Sequence, residues 1–155
     1  MNAIELLTSD HEKVAKIFEK LGSTTERSAK TREELFTKLK QELDTHTHLE
    51  ETIFYPALKE NKLTHDMVLE AYEEHHVAKF LLNELEDMEK NREEWKAKLT
   101  VLQEAIEHHV EEEEGDLFVK TRKVLDKATL DSLGEQMQDE KLRYTAALPK
   151  QPVLS

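Results

Sequence analysis

The chain has 155 residues, a formal net charge of −12, 37% hydrophobic and 36% charged residues, and no cysteine. The lack of cysteine excludes disulfides, iron–sulfur clusters, thiolate metal sites and cysteine nucleophiles, so any metal must be held by nitrogen and oxygen. The acidic balance argues against a nucleic-acid partner, and no apolar run approaches the roughly 20 residues of a membrane span, so no membrane partner is expected.

The length suits one domain with a sizeable core, and only three Gly and three Pro are present. That balance favours long amphipathic helices, and an all-α, cytoplasmic protein is expected. The first apolar series is Ile4, Leu7, Val14, Phe18 and Leu21, with His11 in register. Asn2 and Glu5 form a capping-box pattern at its start and Gly22 ends it, which predicts a helix over 2–21 and a loop over 22–30.

A second capping-box pattern at Thr31 and Glu34 opens the series Leu35, Leu39, Leu43, His46, Glu50, Ile53 or Phe54, and Ala57. Pro56, lacking an amide hydrogen, is expected to kink this helix or pull its last turn away. After a connection over 60–63, Thr64 caps a third series: Val68, Ala71 or Tyr72, His75, Ala78 or Lys79, Leu82 and Leu85. Asn91 and Glu94 offer a further capping box before Trp95, Leu99, Leu102, Ile106, His109, Glu113 and Leu117. Gly115 lies inside this fourth helix and weakens it by about 1 kcal/mol relative to Ala. Thr129 starts a shorter segment, Leu130, Leu133, Met137 and Leu142, placed outside the bundle or across one end. The tail from Pro149 is expected to be loose. Residues 1–126 then form a four-helix bundle, with 127–155 a C-terminal helix and tail packed on the same domain.

An internal repeat organises these elements. Asp10 and His11 match Glu74 and His75, Leu21 matches Leu85, Glu50 and Glu51 match Glu113 and Glu114, and Tyr55 matches Phe118. Residues four apart share a helix face, so His46 with Glu50 and His109 with Glu113 each aim at one point. Two such hairpins packed with approximate two-fold symmetry converge six inward groups: His11, His46, Glu50, His75, His109 and Glu113. A lone histidine on an apolar stripe is more often a satisfied core residue than a ligand. Two carboxylates in an apolar core are different, because each costs several kcal/mol unless paired, and the stripes offer no Arg.

His48, His76 and His108 fall off the stripe and are expected to face solvent or to back the ligands, and His65 to lie at the surface. His108 with Glu112 is an alternative pair, but that register turns Leu102, Ile106 and Leu117 off the core. Tyr55, Phe54, Phe118 and Tyr72 are expected mainly to pack, with Tyr72 able to reach the site, and no residue is assigned a catalytic role. Four imidazoles and two carboxylates can hold two metal ions, each carboxylate bridging and each ion taking two histidines. Mixed nitrogen and oxygen ligation with open positions suits iron first, then manganese or zinc.

Asp10-His11, the segment over 46–56 with its Glu-Glu-x-x-Phe-Tyr-Pro ending, Glu74-His75 and the segment over 109–118 together resemble the hemerythrin-like, or HHE cation-binding, family across about 8–120. The resemblance implies an up-down-up-down four-helix bundle around a non-haem di-iron centre, with the six residues above as ligands and Glu50 and Glu113 bridging. The oxygen carriers have a further histidine where this chain has Lys79, and their last bridging carboxylate is an aspartate at the position of Glu114. The four-His, two-Glu pattern is more similar to members that repair iron–sulfur clusters under nitric oxide stress, or that sense iron or oxygen. The repair proteins usually carry a cysteine-containing N-terminal segment, and this sequence contains no cysteine. The function implied is therefore a di-iron protein that binds or senses O2, NO or iron. The alternatives are a di-iron enzyme acting on peroxide or in cluster repair, and a metal-free helical interaction module.

Overall fold

The computed structural model describes residues 1–148, so the tail expected from Pro149 lies outside the described residues. Four helices make the bundle: α1 Ala3–Gly22, α2 Ala29–Leu49, α3 His65–Asp87 and α4 Glu93–Glu112. They are followed by α5 Phe118–Val124, which continues α4 beyond a turn, and by α6 Lys127–Ala147. Among the described residues there is no strand, and no helix is long and apolar enough to cross a membrane. The bundle runs up, down, up, down, with the two helices of each hairpin joined by short connections.

The first helix starts as its sequence predicts. Asn2 Oδ1 accepts from the Glu5 amide at 2.8 Å while Glu5 Oε1 accepts from the Asn2 amide at 3.0 Å, so two otherwise orphaned donors are satisfied reciprocally. The next starts differ from expectation. A 3-10 turn at Glu26–Ser28, capped by Thr25, occupies the expected loop, and α2 begins at Ala29, which leaves Thr31 inside the helix. The Asn91 box does not form either, because Arg92 takes the N-cap position of α4 without a side-chain cap. Thr64 does precede α3, but its hydroxyl donates to the Leu58 carbonyl at 2.6 Å instead of capping.

A buried cation explains two of these shifts. Arg32 is completely buried, with Nε donating to Thr24 Oγ1 at 2.9 Å, Nη1 to the Lys90 carbonyl at 2.6 Å and Nη2 to the Thr24 carbonyl at 3.3 Å, while its guanidinium sits over Trp95. Lys90 in turn donates to the carbonyls of Leu85, Glu86 and Met88, closing the C-terminus of α3. Together these bonds clamp both interhelix connections at that end and override the local capping patterns. Arg32→Met is therefore expected to lower unfolding free energy by about 3 kcal/mol, because two carbonyls and a hydroxyl lose their buried donor. Urea unfolding of the metal-free protein checks this; a loss under about 1 kcal/mol would show the clamp to be dispensable.

The core has two apolar clusters with a polar layer between them. One contains Leu7, Leu49, Phe54, Val68 and Leu117, the other Val14, Leu39, Leu43, Leu82 and Leu102. On each of the four helices the change from one cluster to the other falls at a histidine: His11, His46, His75 and His109. Ala71 and Ala78 take the buried positions that Tyr72 and Lys79 could have claimed, leaving Tyr72 half-buried and Lys79 exposed.

Both carboxylate-bearing helices widen at this layer. A π-helical turn follows at Glu50–Phe54, closed by the Tyr55 amide on the Glu50 carbonyl, and another at Glu113–Leu117, closed by the Phe118 amide on the Glu113 carbonyl. Each adds about one residue to a turn, as π-bulges at functional sites do. Downstream phase shifts accordingly: Leu58 is buried where Ala57 was expected, and Ala57 is exposed. Pro56 sits in a 3-10 turn at Tyr55–Ala57, so the last turn tightens. In a π turn the Glu51 carbonyl would accept from residue 56, which has no amide hydrogen; the Tyr72 hydroxyl approaches that carbonyl at 3.5 Å instead. Gly115 lies within the second π turn without positive φ, and a side chain there would meet open space.

Helix α6 is longer than expected and starts earlier. Asp126 caps it, accepting from the Thr129 amide at 2.8 Å, and it spans 21 residues along α1 and α2. Leu130, Leu133 and Met137 join the cluster at the chain's N-terminal end, whereas Leu142 is 72% exposed and takes no part. At Gly134 a Cβ would come within 2.3 Å of the Met1 carbonyl, so this close approach to the start of α1 requires glycine.

Candidate metal centre

The structure brings all six candidate residues into the buried layer. His11, His46, Glu50 and Glu113 offer ligand atoms within 4.8 Å of one another, and Glu50, His75 and His109 form a second such group. Glu50 belongs to both. The inward nitrogen is Nε2 in each case: His46 Nε2 lies 3.2 Å and His75 Nε2 3.1 Å from Glu50 Oε1, His11 Nε2 lies 3.1 Å from Glu113 Oε1, and His109 Nε2 lies 3.3 Å from Glu113 Oε2. Glu50 is 0% and Glu113 2% exposed.

The outward nitrogens are fixed by four further carboxylates. His46 Nδ1 faces Asp10 at 3.1 Å, His109 Nδ1 faces Glu74 at 2.8 Å, His75 Nδ1 faces Glu51 at 2.8 Å and His11 Nδ1 faces Glu114 at 2.6 Å. With Nδ1–H held outward, Nε2 points to the centre, where a metal ion would take the place of any proton it carries. The internal two-fold is exact in role: Asp10 and Glu74 each precede one histidine and support another from the neighbouring helix of their own hairpin. Glu51 and Glu114 each follow an inward carboxylate and support a histidine of the other hairpin. The sequence repeat pairs these acids, but it carries no statement of which histidine each would meet, because those contacts cross between helices.

Tyr55 is the other residue that spacing places only in the packing. Its hydroxyl donates to Glu113 Oε2 at 2.6 Å and lies 3.4 Å from His75 Nε2 and 3.5 Å from His109 Nε2. Tyr72 does not reach the centre; it packs edge-on against Tyr55. The remaining histidines lie outside. His76 is exposed, His48 stacks on Tyr144 with Glu140 beside it, His65 meets the Lys59 carbonyl, and His108 pairs with Glu112 on the surface.

Charge at the centre is strongly coupled. Burial works against a charged Glu50, but His46 and His75 outweigh it and hold the carboxyl well below the usual range. Burial likewise opposes a charged His46, yet Glu50 and Asp10 push it up to about 10. His109 is also raised well above its ordinary value, burial being outweighed by Glu113 and Glu74. Tyr55 is pushed well above the usual phenol range, first by burial and then by the charges of Glu50 and Glu113, so its hydroxyl remains a donor.

These residues fit a metal. His11 Nε2, His46 Nε2, both oxygens of Glu50 and Oε1 of Glu113 are buried with no aligned hydrogen-bond partner. Orphaned buried carboxylate oxygens are costly, and divalent cations between them would supply the missing positive charge and the missing partners together. A cavity of about 30 Å³ adjoins the four histidines, bounded by Val14, Leu43, Ala78, Leu82 and Ile106. It has room for one or two water-sized groups.

The family description "Hemerythrin HHE cation binding domain" matches residues 2–121. Among solved structures, a hemerythrin HHE cation binding domain-containing protein from Mycobacterium kansasii is 26% identical, with a TM-score of 0.84 over 95% of this chain and 89% of that one. Among curated proteins none gives a significant match.

Proposed function

Because this chain belongs to the hemerythrin HHE cation-binding domain family, we propose that its six convergent residues hold two iron ions and that the protein binds or senses a small ligand such as O2, NO or peroxide. In this reading His11 and His46 would hold one ion and His75 and His109 the other, with Glu50 and Glu113 supplying the carboxylate ligands. Iron there would supply reversible redox chemistry and open positions for a diatomic ligand. The observation that carries the proposal is the set of orphaned, fully buried oxygens and nitrogens at one layer of an otherwise apolar core. The small apolar cavity beside them favours a ligand of two or three atoms over a larger substrate.

The protein's own groups have separable tasks. The four outer carboxylates orient the imidazoles, the Tyr55 hydroxyl holds one oxygen of Glu113, and the apolar side chains beside the centre limit the access of bulk water. Glu51→Gln and Glu114→Gln, at matching positions of the repeat, are each expected to weaken iron binding about 10- to 100-fold, one acting through His75 and the other through His11. Competition with a chelator of known affinity measures this, and wild-type affinity in both would contradict the orienting role. Iron analysis with visible spectra before and after admitting air, NO or peroxide tests the functional reading. Stoichiometric spectral change supports binding or sensing; sustained O2 release from peroxide supports an enzyme; no iron uptake rejects both.

A further inference from the structure

The two hairpins are alike inside and unlike outside. On the first, α6 covers the face behind Asp10, and Lys141 Nζ meets Asp10 Oδ1 at 2.6 Å, so that supporting acid is neutralised. Leu6 and Leu49 are buried in the same cluster as Leu130, Leu133 and Met137 of α6. On the second hairpin the repeat places Glu74 where Asp10 stands, Glu70 where Leu6 stands and Glu112 where Leu49 stands. Helix α6 packs along α1 and α2 instead, and on this face Glu70 is exposed and Glu74 and Glu112 are half-buried.

Two of these acids, Glu74 and Glu112, meet at His108. His108 Nε2 is 3.1 Å from Glu112 Oε1 and 3.9 Å from Glu74 Oε2, and all three offer ligand atoms within 4.8 Å of one another. Glu74 has two faces: its other oxygen holds His109 Nδ1 at 2.8 Å. A narrow cleft runs inward here, lined by Glu70, Glu74 and Glu112 outside and by His109 and Glu113 within. Glu113, at its inner end, is 2% exposed, and its Oε1, which has no hydrogen-bond partner, faces His11 inside the buried centre. An acidic mouth whose inner wall is formed by two residues of the buried centre, His109 and Glu113, attracts cations and leads them inward.

We propose that Glu74, His108 and Glu112 form an outer divalent-cation site, and that metal enters the buried centre through this cleft. One imidazole and two carboxylates suit Fe(II), Mn(II) or Zn(II) bound weakly with water completing the shell. The entry role rests on the metal-binding reading above, whereas the outer site itself does not.

The test uses His108→Gln combined with Glu112→Gln, both surface changes outside the buried centre. Fe(II) is added anaerobically to metal-free protein and uptake is timed by trapping free iron with a coloured chelator. Loading is expected to slow about tenfold with the final iron content unchanged. Separately, Mn(II) is titrated into Glu50→Ala by electron paramagnetic resonance; about one weakly held ion is expected, and it should vanish when the two surface changes are added. An unchanged loading rate overturns the entry route, and Mn(II) binding indifferent to the surface changes overturns the outer site. If Glu50→Ala takes up as much iron as wild type, the buried-centre reading fails instead, and the Mn(II) comparison still decides the outer site.

Discussion

Glu50→Ala is expected to abolish retention of both metal ions, while Glu113→Ala should spare the ion at His75 and His109 more than the one at His11 and His46. The asymmetry follows from geometry. Glu50 falls in both groups of converging ligand atoms, whereas Glu113 falls in the first alone and has one oxygen engaged by Tyr55. Removing Glu50 takes away a charge that neither ion can replace from the apolar walls, a loss of affinity on the order of 100-fold or more. Metal content after gel filtration, with far-UV circular dichroism to verify helicity, distinguishes the variants. Equal, undiminished occupancy in Glu50→Ala would remove the basis for a shared centre.

Stripping the metal should lower the melting temperature by about 8–16 °C. An ion bound only by the folded state stabilises it by about 4 kcal/mol when present at a thousand times its Kd, and for a chain of this size each kcal/mol moves Tm by about 2–4 °C. The metal-free chain is expected to stay folded, because His46 and His109, both raised by the neighbouring carboxylates, can carry part of the charge that balances Glu50 and Glu113. The two apolar clusters lie on either side of the centre and do not depend on it. Scanning calorimetry with and without iron measures the shift. A Tm unmoved by metal would mean that the ions bind elsewhere or not at all.

The helices and their inward faces are legible in the sequence because burial on one side imposes a 3.6-residue period, and the period survives along each stripe from Leu39 to Glu50 and from Trp95 to Glu113. The repeat adds the pairing of the hairpins. Helix starts are less legible. Thr31 and Asn91 carry good local capping patterns, yet buried Arg32 ties Thr24 to the Lys90 carbonyl across the two connections, Lys90 closes the end of α3, and these bonds outweigh them. The π turns are hidden for a different reason: a pattern read at four-residue spacing assumes one helical pitch, so Ala57 is placed where Leu58 sits. At the site, His46 and Glu50 or His109 and Glu113 are recognisable as intrahelical pairs. Asp10 behind His46, Glu51 behind His75 and Tyr55 on Glu113 are tertiary contacts, and spacing along one helix says nothing of them.

The most direct test of the centre is a crystal structure of protein loaded with Fe(II) without oxygen, with data collected on both sides of the iron absorption edge. Two anomalous peaks are expected, one beside the Nε2 atoms of His11 and His46 and one beside those of His75 and His109, with Glu50 between them. A single peak, or none within this layer in iron-saturated crystals, would contradict the account.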